Sequence, residues 1–509
     1  MRIECIPGDI RAVKSDMIVV SLFEGAKRLD GATGEVDAAV GGALSEAINA
    51  GDFKGKASET YFFRPSKGIA APRVLVVGLG RKEKFTPDIA RQVALPVFKA
   101  ARRMKLSSVA SIVHGVWIDG FSPETAACFS ALGAALSSFE YDRFKEDKGH
   151  RVSRFLFVER DAKTLPLVRA GVIRGERMGE AINWGRELVA TPSAHLRPND
   201  LAKAAKKVGA GLPLREASKI RVRVLGVPEL EASGAGGILA VGKGSQAPPR
   251  LIAAEYRGGP PGGKWVALVG KGVTFDTGGI SLKKPEGMDK MKYDMAGAAA
   301  VLATLRACAA LGIRRNIAAV VPAVENMPSG TAFRPGDVLR LMSGKTAEIL
   351  STDAEGRLIL ADALTYAREK YKPEAMVDVA TLTGACTVAL GSVNMGIMGN
   401  DGALIARIKQ ASASSGEKAW ELPLHEEYSE QIRSDIADLK NTGGPEAGTI
   451  TAGCFLKEFA EGTPWAHFDI AGTAWIDKEK RGYAPGPSGA PVRLLVEFLS
   501  NPTVGDHYG

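Results

Sequence analysis

A chain of 509 residues is too long for one ordinary domain, so two or more are expected. Its 45% apolar and 24% charged residues are the balance of a soluble globular protein, and no run of about 18 uninterrupted apolar residues is present to span a membrane. The net charge of +9 is uneven, with 34 Lys+Arg against 19 Asp+Glu over residues 51–250 and 20 against 25 over residues 301–509. No basic block exceeds two or three in a row, however, which favours a solvated surface over a nucleic-acid footprint.

The N-terminus, MRIECIPGDIRAVKSD, reaches acidic residues at once and has no apolar h-region, so no secretory leader is expected. Met17–Leu22 (MIVVSL), Val74–Gly78, Val109–Val113 and Phe155–Val158 are short apolar runs that read as strands, and Ile89–Arg103 and Glu124–Leu136 between them have helical spacing. That alternation predicts an α/β domain over residues 1–164. Apolar residues near i, i+3 and i+4 then continue from Leu165 to Leu188 with no proline breaking the later turns, and Thr191-Pro192 follows. The pattern predicts a connecting helix over 165–190. Beyond it, over residues 191–509, the alternation resumes in a larger domain with Gly-rich loops. Val266–Val269, Ile317–Val321 and Met376–Val379 have the length of buried strands, and Met295–Leu311 and Leu358–Lys370 read as helices.

Several motifs carry little. Gly258–Lys264 (GGPPGGK) matches half of a phosphate-binding loop, but Trp265 stands where Ser or Thr is needed and a strand follows, so it reads as a turn between strands. Gly78-Leu79-Gly80 lacks the third glycine of a dinucleotide motif. Five scattered cysteines without CxxC read as reduced, packed thiols of a cytosolic protein. Six histidines, His114, His150, His195, His425, His467 and His507, show no paired spacing, so each reads as structural or exposed, and any metal ligands must be mainly carboxylates.

Three segments of the second domain gather acids and lysines in Gly-rich loops. In VGKGVTFDTGGISLKK (269–284) the apolar strand ends at Gly270, which puts Lys271 and Asp276 just past its carboxyl end, where open α/β sheets form their sites, with Lys283 following a glycine pair. In MDKMKYDMAGAAA (288–300) Asp294 precedes a small-residue helix. In STDAEGRL (351–358) Asp353 and Glu355 stand at a helix start. Each acid alone could be a helix cap worth about 1 kcal/mol or less. Together, four carboxylates in one cleft demand a compensating positive charge, and divalent cations with oxygen ligands supply it.

KGVTFDTGGISLK, MKYDMAGAA and TDAEGRL resemble the signature segments of the leucyl aminopeptidase (cytosol aminopeptidase) family in its bacterial form. The likeness continues in order through DVATLTGA (378–385), residues 421–444 and PWAHFDIAGTAW (464–475), and GDFKGKASET (51–60) is similar to a segment of the family's N-terminal domain. The resemblance implies two α/β domains: a smaller, macro-like N-terminal one and a larger C-terminal catalytic one with a central mixed sheet flanked by helices. It implies a metallo-exopeptidase that removes N-terminal residues, Leu and other apolar residues preferred, from peptides, with two Mn²⁺ or Zn²⁺ ions per subunit. Lys271, Asp276, Asp294 and Glu355 would hold the tighter ion, and Asp276, Asp353 and Glu355 the more exchangeable one, so Asp276 and Glu355 bridge. Lys283 would stabilise the oxyanion. With every signature carboxylate committed to metal, the family's base is a bicarbonate, which would lie on Arg357 and the backbone around Ala354, Gly356 and Leu382. Met291, Thr381, Gly384, Ala471 and Ala474 would line the pocket for the first residue. A homohexamer in the cytoplasm, with no membrane attachment, is the family's form.

Ser351 stands where the family usually has Asn, and Ala190 and His195 where Asn is common; none removes a catalytic group. An additional DNA-binding role, motivated by the basic first half, is the minor alternative, and it predicts a mobility shift that weakens steeply with salt. An inactive structural relative is a third reading, against which the intact Lys283 and Arg357 stand.

Overall fold

The computed structural model describes residues 1–26, 28–118 and 120–501, so His507 lies outside the described residues. The chain divides into two compact units: Met1–Asn183 with Ile476–Pro485, and Trp184–Trp475 with the segment from Gly486 onward. Both are α/β units built on a mixed sheet. The helix Leu165–Ala190 carries the chain from one to the other. Among the described residues no helix is long and apolar enough to cross a membrane.

The first unit's six strands run in the order Arg2–Pro7, Arg154–Glu159, Ser108–Ser111, Met17–Leu22, Val74–Gly78, Thr60–Phe63. All neighbours are parallel except the last pair. Parallel strands covered on both faces need apolar side chains at every position, which is why MIVVSL and VLVVG are continuous runs. The two-residue period then sorts them. Met17, Val19, Leu75 and Val77 enter one core with Phe98 and Ala131, while Ile18, Val20, Val74 and Val76 enter another with Val36, Leu44 and Phe53. One expectation fails here. Residues 89–103 form not one helix but two, Pro87–Gln92 and Ala94–Arg103. Pro96 has no N–H to give the Gln92 carbonyl, so the hydrogen-bond ladder breaks at that turn.

The second unit's sheet has nine strands. Eight follow the order Ala419–Glu421, Met395–Gly399, Trp465–Asp469, Ala375–Ala380, Trp265–Gly270, Asn316–Asn326, Arg250–Arg257, Ile220–Leu225, and Gly272–Asp276 pairs with the far half of Asn316–Asn326. GGPPGGK links Arg250–Arg257 to Trp265–Gly270, strands separated in the sheet by Asn316–Asn326, and no phosphate-loop helix follows it. Ala267, Val269, Val320 and Met376 pack with Leu358, Ile359 and Leu360 of the helix Glu355–Tyr371. The helix Ala296–Ala310 lies on these strands too, and its small residues are required by distance: a Cβ on Gly297 would stand 2.0 Å from the Val379 carbonyl oxygen. The four central strands, Trp465–Asp469, Ala375–Ala380, Trp265–Gly270 and Asn316–Asn326, are mutually parallel, so their carboxyl ends converge on one edge. A second expectation fails in this sheet. Asp276 is not in the loop after Gly270 but at the end of the separate strand Gly272–Asp276, which a register shift between Val273 and Phe275 bends along its partner.

Candidate metal centre

The convergence of parallel strand ends decides which side chains meet. Lys271 leaves the end of Trp265–Gly270, with its N–H on the Val379 carbonyl of the neighbouring strand. Its ammonium lies 2.8 Å from Asp294 Oδ2, 2.9 Å from Glu355 Oε1 and 3.0 Å from the Thr381 carbonyl. Asp294 precedes the helix Ala296–Ala310 and also accepts from Thr381 Oγ1 at 2.7 Å. Glu355 opens the helix Glu355–Tyr371. Gly356 follows because a Cβ there would stand 2.6 Å from Lys271 Cε.

Asp276 ends its strand with Oδ1 accepting from Gly278 N–H at 2.8 Å, while Oδ2 lies 2.8 Å from Lys283 Nζ; the same ammonium is paired with Asp353. The loop between Asp276 and Lys283 turns through Gly278 and Gly279 at φ +85° and +68°, a left-handed path that glycine takes without strain. Thr352 fastens this loop to the next: its hydroxyl donates to the Gly278 carbonyl at 2.6 Å and accepts from Ser281 N–H at 2.8 Å. Ser351, at the position where Asn was expected, accepts from Asp353 N–H at 3.2 Å. Asn441, unforeseen from the sequence, holds the loop from behind with contacts to Leu350 N–H and the Ser351 carbonyl.

Ligand atoms of Asp276, Asp353 and Glu355 lie within 4.8 Å of one another. Burial pushes the Glu355 carboxyl up to about 8 and Asp294 up to about 6, with Asp276 adding repulsion and Lys271 opposing it. Asp353 is raised by burial too. Burial works against the charge of Lys271 and Lys283, but the surrounding carboxylates outweigh it and hold both amines above their ordinary range. Burial and mutual repulsion thus disfavour so many negative charges in one cleft, and a hard or borderline divalent cation fits the oxygen-rich donor set.

Arg357 lies in the first turn of the helix Glu355–Tyr371, 7% exposed, and its Nε and Nη1 are buried without a hydrogen-bond partner. Burial lowers it to about 10, with Glu355 and Asp469 opposing. A buried guanidinium with two free donors is prepared for an anion. Asp469, which no sequence motif singles out, is fully buried and accepts from Leu382 N–H at 3.3 Å, Ala471 N–H at 3.1 Å and Thr383 Oγ1 at 2.6 Å. It thereby joins the loops after two strands. Behind it His467 is buried with Nδ1 2.5 Å from Asp378 Oδ1, a structural pair rather than a ligand.

The remaining expected positions fall around this edge. Thr381 and Leu382 follow the strand Ala375–Ala380, and Gly384, exposed, opens the helix Gly384–Leu390. Met291, half-buried, lies in the 3-10 helix Met288–Tyr293 and accepts from Asp294 N–H through its carbonyl. Ala471 and Ala474 follow the strand Trp465–Asp469, Ala471 half-buried and Ala474 buried. Ala354 stands immediately before the helix that begins at Glu355.

Known proteins resemble this chain over most of its length. The profile of the cytosol aminopeptidase family, catalytic domain, matches residues 183–496, and that of the family's N-terminal domain matches residues 19–148. A probable cytosol aminopeptidase of Paraburkholderia phymatum is 43% identical over 96% of this chain and 95% of its own, and one of Paraburkholderia xenovorans is 44% identical over 96% and 94%. Among solved structures, a tomato leucine aminopeptidase mutant superposes with a TM-score of 0.87 at 31% identity, covering 98% of this chain and 96% of that one. The bottromycin maturation enzyme BotP in complex with Mn gives 0.83 at 32%, covering 96% and 99%.

Proposed function

The chain belongs to the cytosol aminopeptidase family and is a metallo-exopeptidase, and from that premise we propose a two-ion mechanism for releasing the N-terminal residue of peptides, Leu and other apolar residues preferred. The observation that carries it is the meeting of Asp276, Asp353 and Glu355 within 4.8 Å, beside Lys271 and Asp294, at a sheet edge. Lys271, giving up its ammonium proton as a cation takes its place among the carboxylates, would with Asp276, Asp294 and Glu355 hold the tighter of two Mn²⁺ or Zn²⁺ ions, and Asp276, Asp353 and Glu355 would hold the more exchangeable one. When bound, such ions polarise the scissile carbonyl and ease deprotonation of the attacking water.

The chain's own groups do the rest. Asp294 receives the substrate's free α-amine, which restricts cleavage to the N-terminal residue. Lys283, kept cationic by Asp276 and Asp353, donates to the oxyanion of the tetrahedral intermediate. Arg357 has unpaired buried donors, and with the backbone of Ala354, Gly356 and Leu382 it would hold a bicarbonate, which would supply the general base that the committed carboxylates leave missing. Met291, Thr381, Gly384, Ala471 and Ala474 line the first-residue pocket, whose small members leave room for a Leu side chain. The enzyme works as a homohexamer in the cytoplasm. The test is release of leucine from a leucyl anilide, abolished by chelation and restored by Mn²⁺ or Zn²⁺. A metal-loaded chain that turns over no N-terminal residue contradicts it.

A further inference from the structure

One buried side chain at the centre of the acidic cluster has no role in that scheme. Asn326 closes the strand Asn316–Asn326 and is 0% exposed. Its Nδ2 lies 2.8 Å from Asp276 Oδ1, 3.0 Å from the Thr352 carbonyl and 3.5 Å from Glu355 Oε2. All three neighbours are acceptors, so chemistry fixes the amide: turned over, it would set its own oxygen against two carboxylates. The amide's two hydrogens serve the two short contacts, which fix Asp276 and the residue before Asp353. The long contact lies against Glu355.

The engaged oxygens determine which ones remain. With Asp276 Oδ1 and Glu355 Oε2 turned toward Asn326, Asp276 Oδ2 faces Lys283 at 2.8 Å and Glu355 Oε1 faces Lys271 at 2.9 Å. The two ammonium groups mark the oxygens directed at positive charge. Resting on the proposal that this cluster holds divalent ions, we infer that Asn326 is its positioning residue: it orients Asp276, backs Glu355 and ties the Thr352 loop so that one oxygen of each shared carboxylate is presented to the cation. Groups of this kind around metal sites typically govern affinity by about 10- to 100-fold.

The same strand supplies a control. Asn316, at its other end, is also buried, and it bonds only the connection before the neighbouring strand: its Nδ2 donates to the Gly263 carbonyl at 3.1 Å, and its Oδ1 accepts from Gly259 N–H at 3.1 Å. Mn²⁺ binding to the metal-stripped full chain is measured by calorimetry, with melting of the same samples. Asn326→Ala is expected to weaken Mn²⁺ binding about 10- to 100-fold. Asn316→Ala is expected to lower the melting temperature and leave Mn²⁺ affinity unchanged. If Asn326→Ala does not fold, Asn326→Ser, whose hydroxyl is too short to reach both Asp276 and Thr352, is expected to weaken binding in the same way. Wild-type Mn²⁺ affinity in the folded Asn326 variant overturns the inference. A wild-type chain that takes up no Mn²⁺ removes the cation reading, and this inference with it, which is a different result from uptake that ignores the substitution.

Discussion

Both units build a mixed sheet with parallel strands at its centre, and both therefore offer a carboxyl edge where loops meet. At that edge the first unit carries Ser111, whose hydroxyl donates to the Ile112 carbonyl, a buried His114 that burial lowers to about 4, and Glu159, which accepts from Asp161 N–H. These groups are satisfied locally or kept neutral. At the second unit's edge lies the group Asp276, Asp353 and Glu355, the one set of three among the described residues with ligand atoms this close. The difference teaches that sheet topology supplies a place. Chemistry enters only where the strand ends are acidic and the intervening loops contain glycine at the tight turns.

The sharpest way to break that comparison is to exchange the treatment of the two edges. Glu355→Ala is expected to reduce leucyl anilide hydrolysis by about 1,000-fold or more, since it removes the proposed shared ligand and several kcal/mol of charge stabilisation. His114→Ala in the first unit is expected to lower the melting temperature and leave kcat near the wild-type value. Equal losses in both would mean that the two edges do not differ in function. Arg357→Ala comes next. Losing the anion partner is expected to cost about 100-fold in kcat with Mn²⁺ content unchanged, read by turnover and elemental analysis together. Gly356→Ala should destabilise by about 1–3 kcal/mol in denaturant unfolding, because its Cβ meets the Lys271 chain.

The smallest expected effect is one of pH. Asp362 is buried in the helix Glu355–Tyr371 and pushed up to about 7 by burial, although Met342, Ile238 and Gly237 N–H groups favour its charge. A carboxyl raised in the folded state binds more protons folded than unfolded. Its contribution is therefore fully present below about pH 4 and is lost as pH rises toward 7. The wild-type chain should lose about 1 kcal/mol or more over that window through this group. Asp362→Asn should lack that component, as melting at pH 5 and 7.5 would reveal.

The sequence made the central architecture legible where physics is local. MIVVSL and VLVVG are apolar at every position but the half-buried Ser21 because both faces are covered, and the strand limits there agree with the runs. Lys271, Asp276, Asp294, Asp353 and Glu355 stood out because acids clustered in glycine-rich loops are expensive without a cation. What the sequence did not disclose depends on distant pairing. The alternating IRVRVL of Ile220–Leu225 is an edge strand recognised only through its partner Arg250–Arg257. Ile476–Pro485 returns to the first unit with no local pattern to announce it. Asn326, Asn441 and Asp469 are single polar residues at strand and loop ends. For Asn326 and Asp469 the one available signal was a polar residue closing an apolar strand, as in VVPAVEN and AHFD.

The most direct test of the account counts ions. Purified chain loaded with Mn²⁺ and freed of excess metal is predicted to hold two ions per subunit and to hydrolyse leucyl anilide. Asp353→Ala, which under the proposed assignment loses a ligand of the more exchangeable site alone, is predicted to hold one ion and to lose activity. Two ions retained in that variant, or a fully active wild-type chain holding a single ion, would contradict the two-ion site.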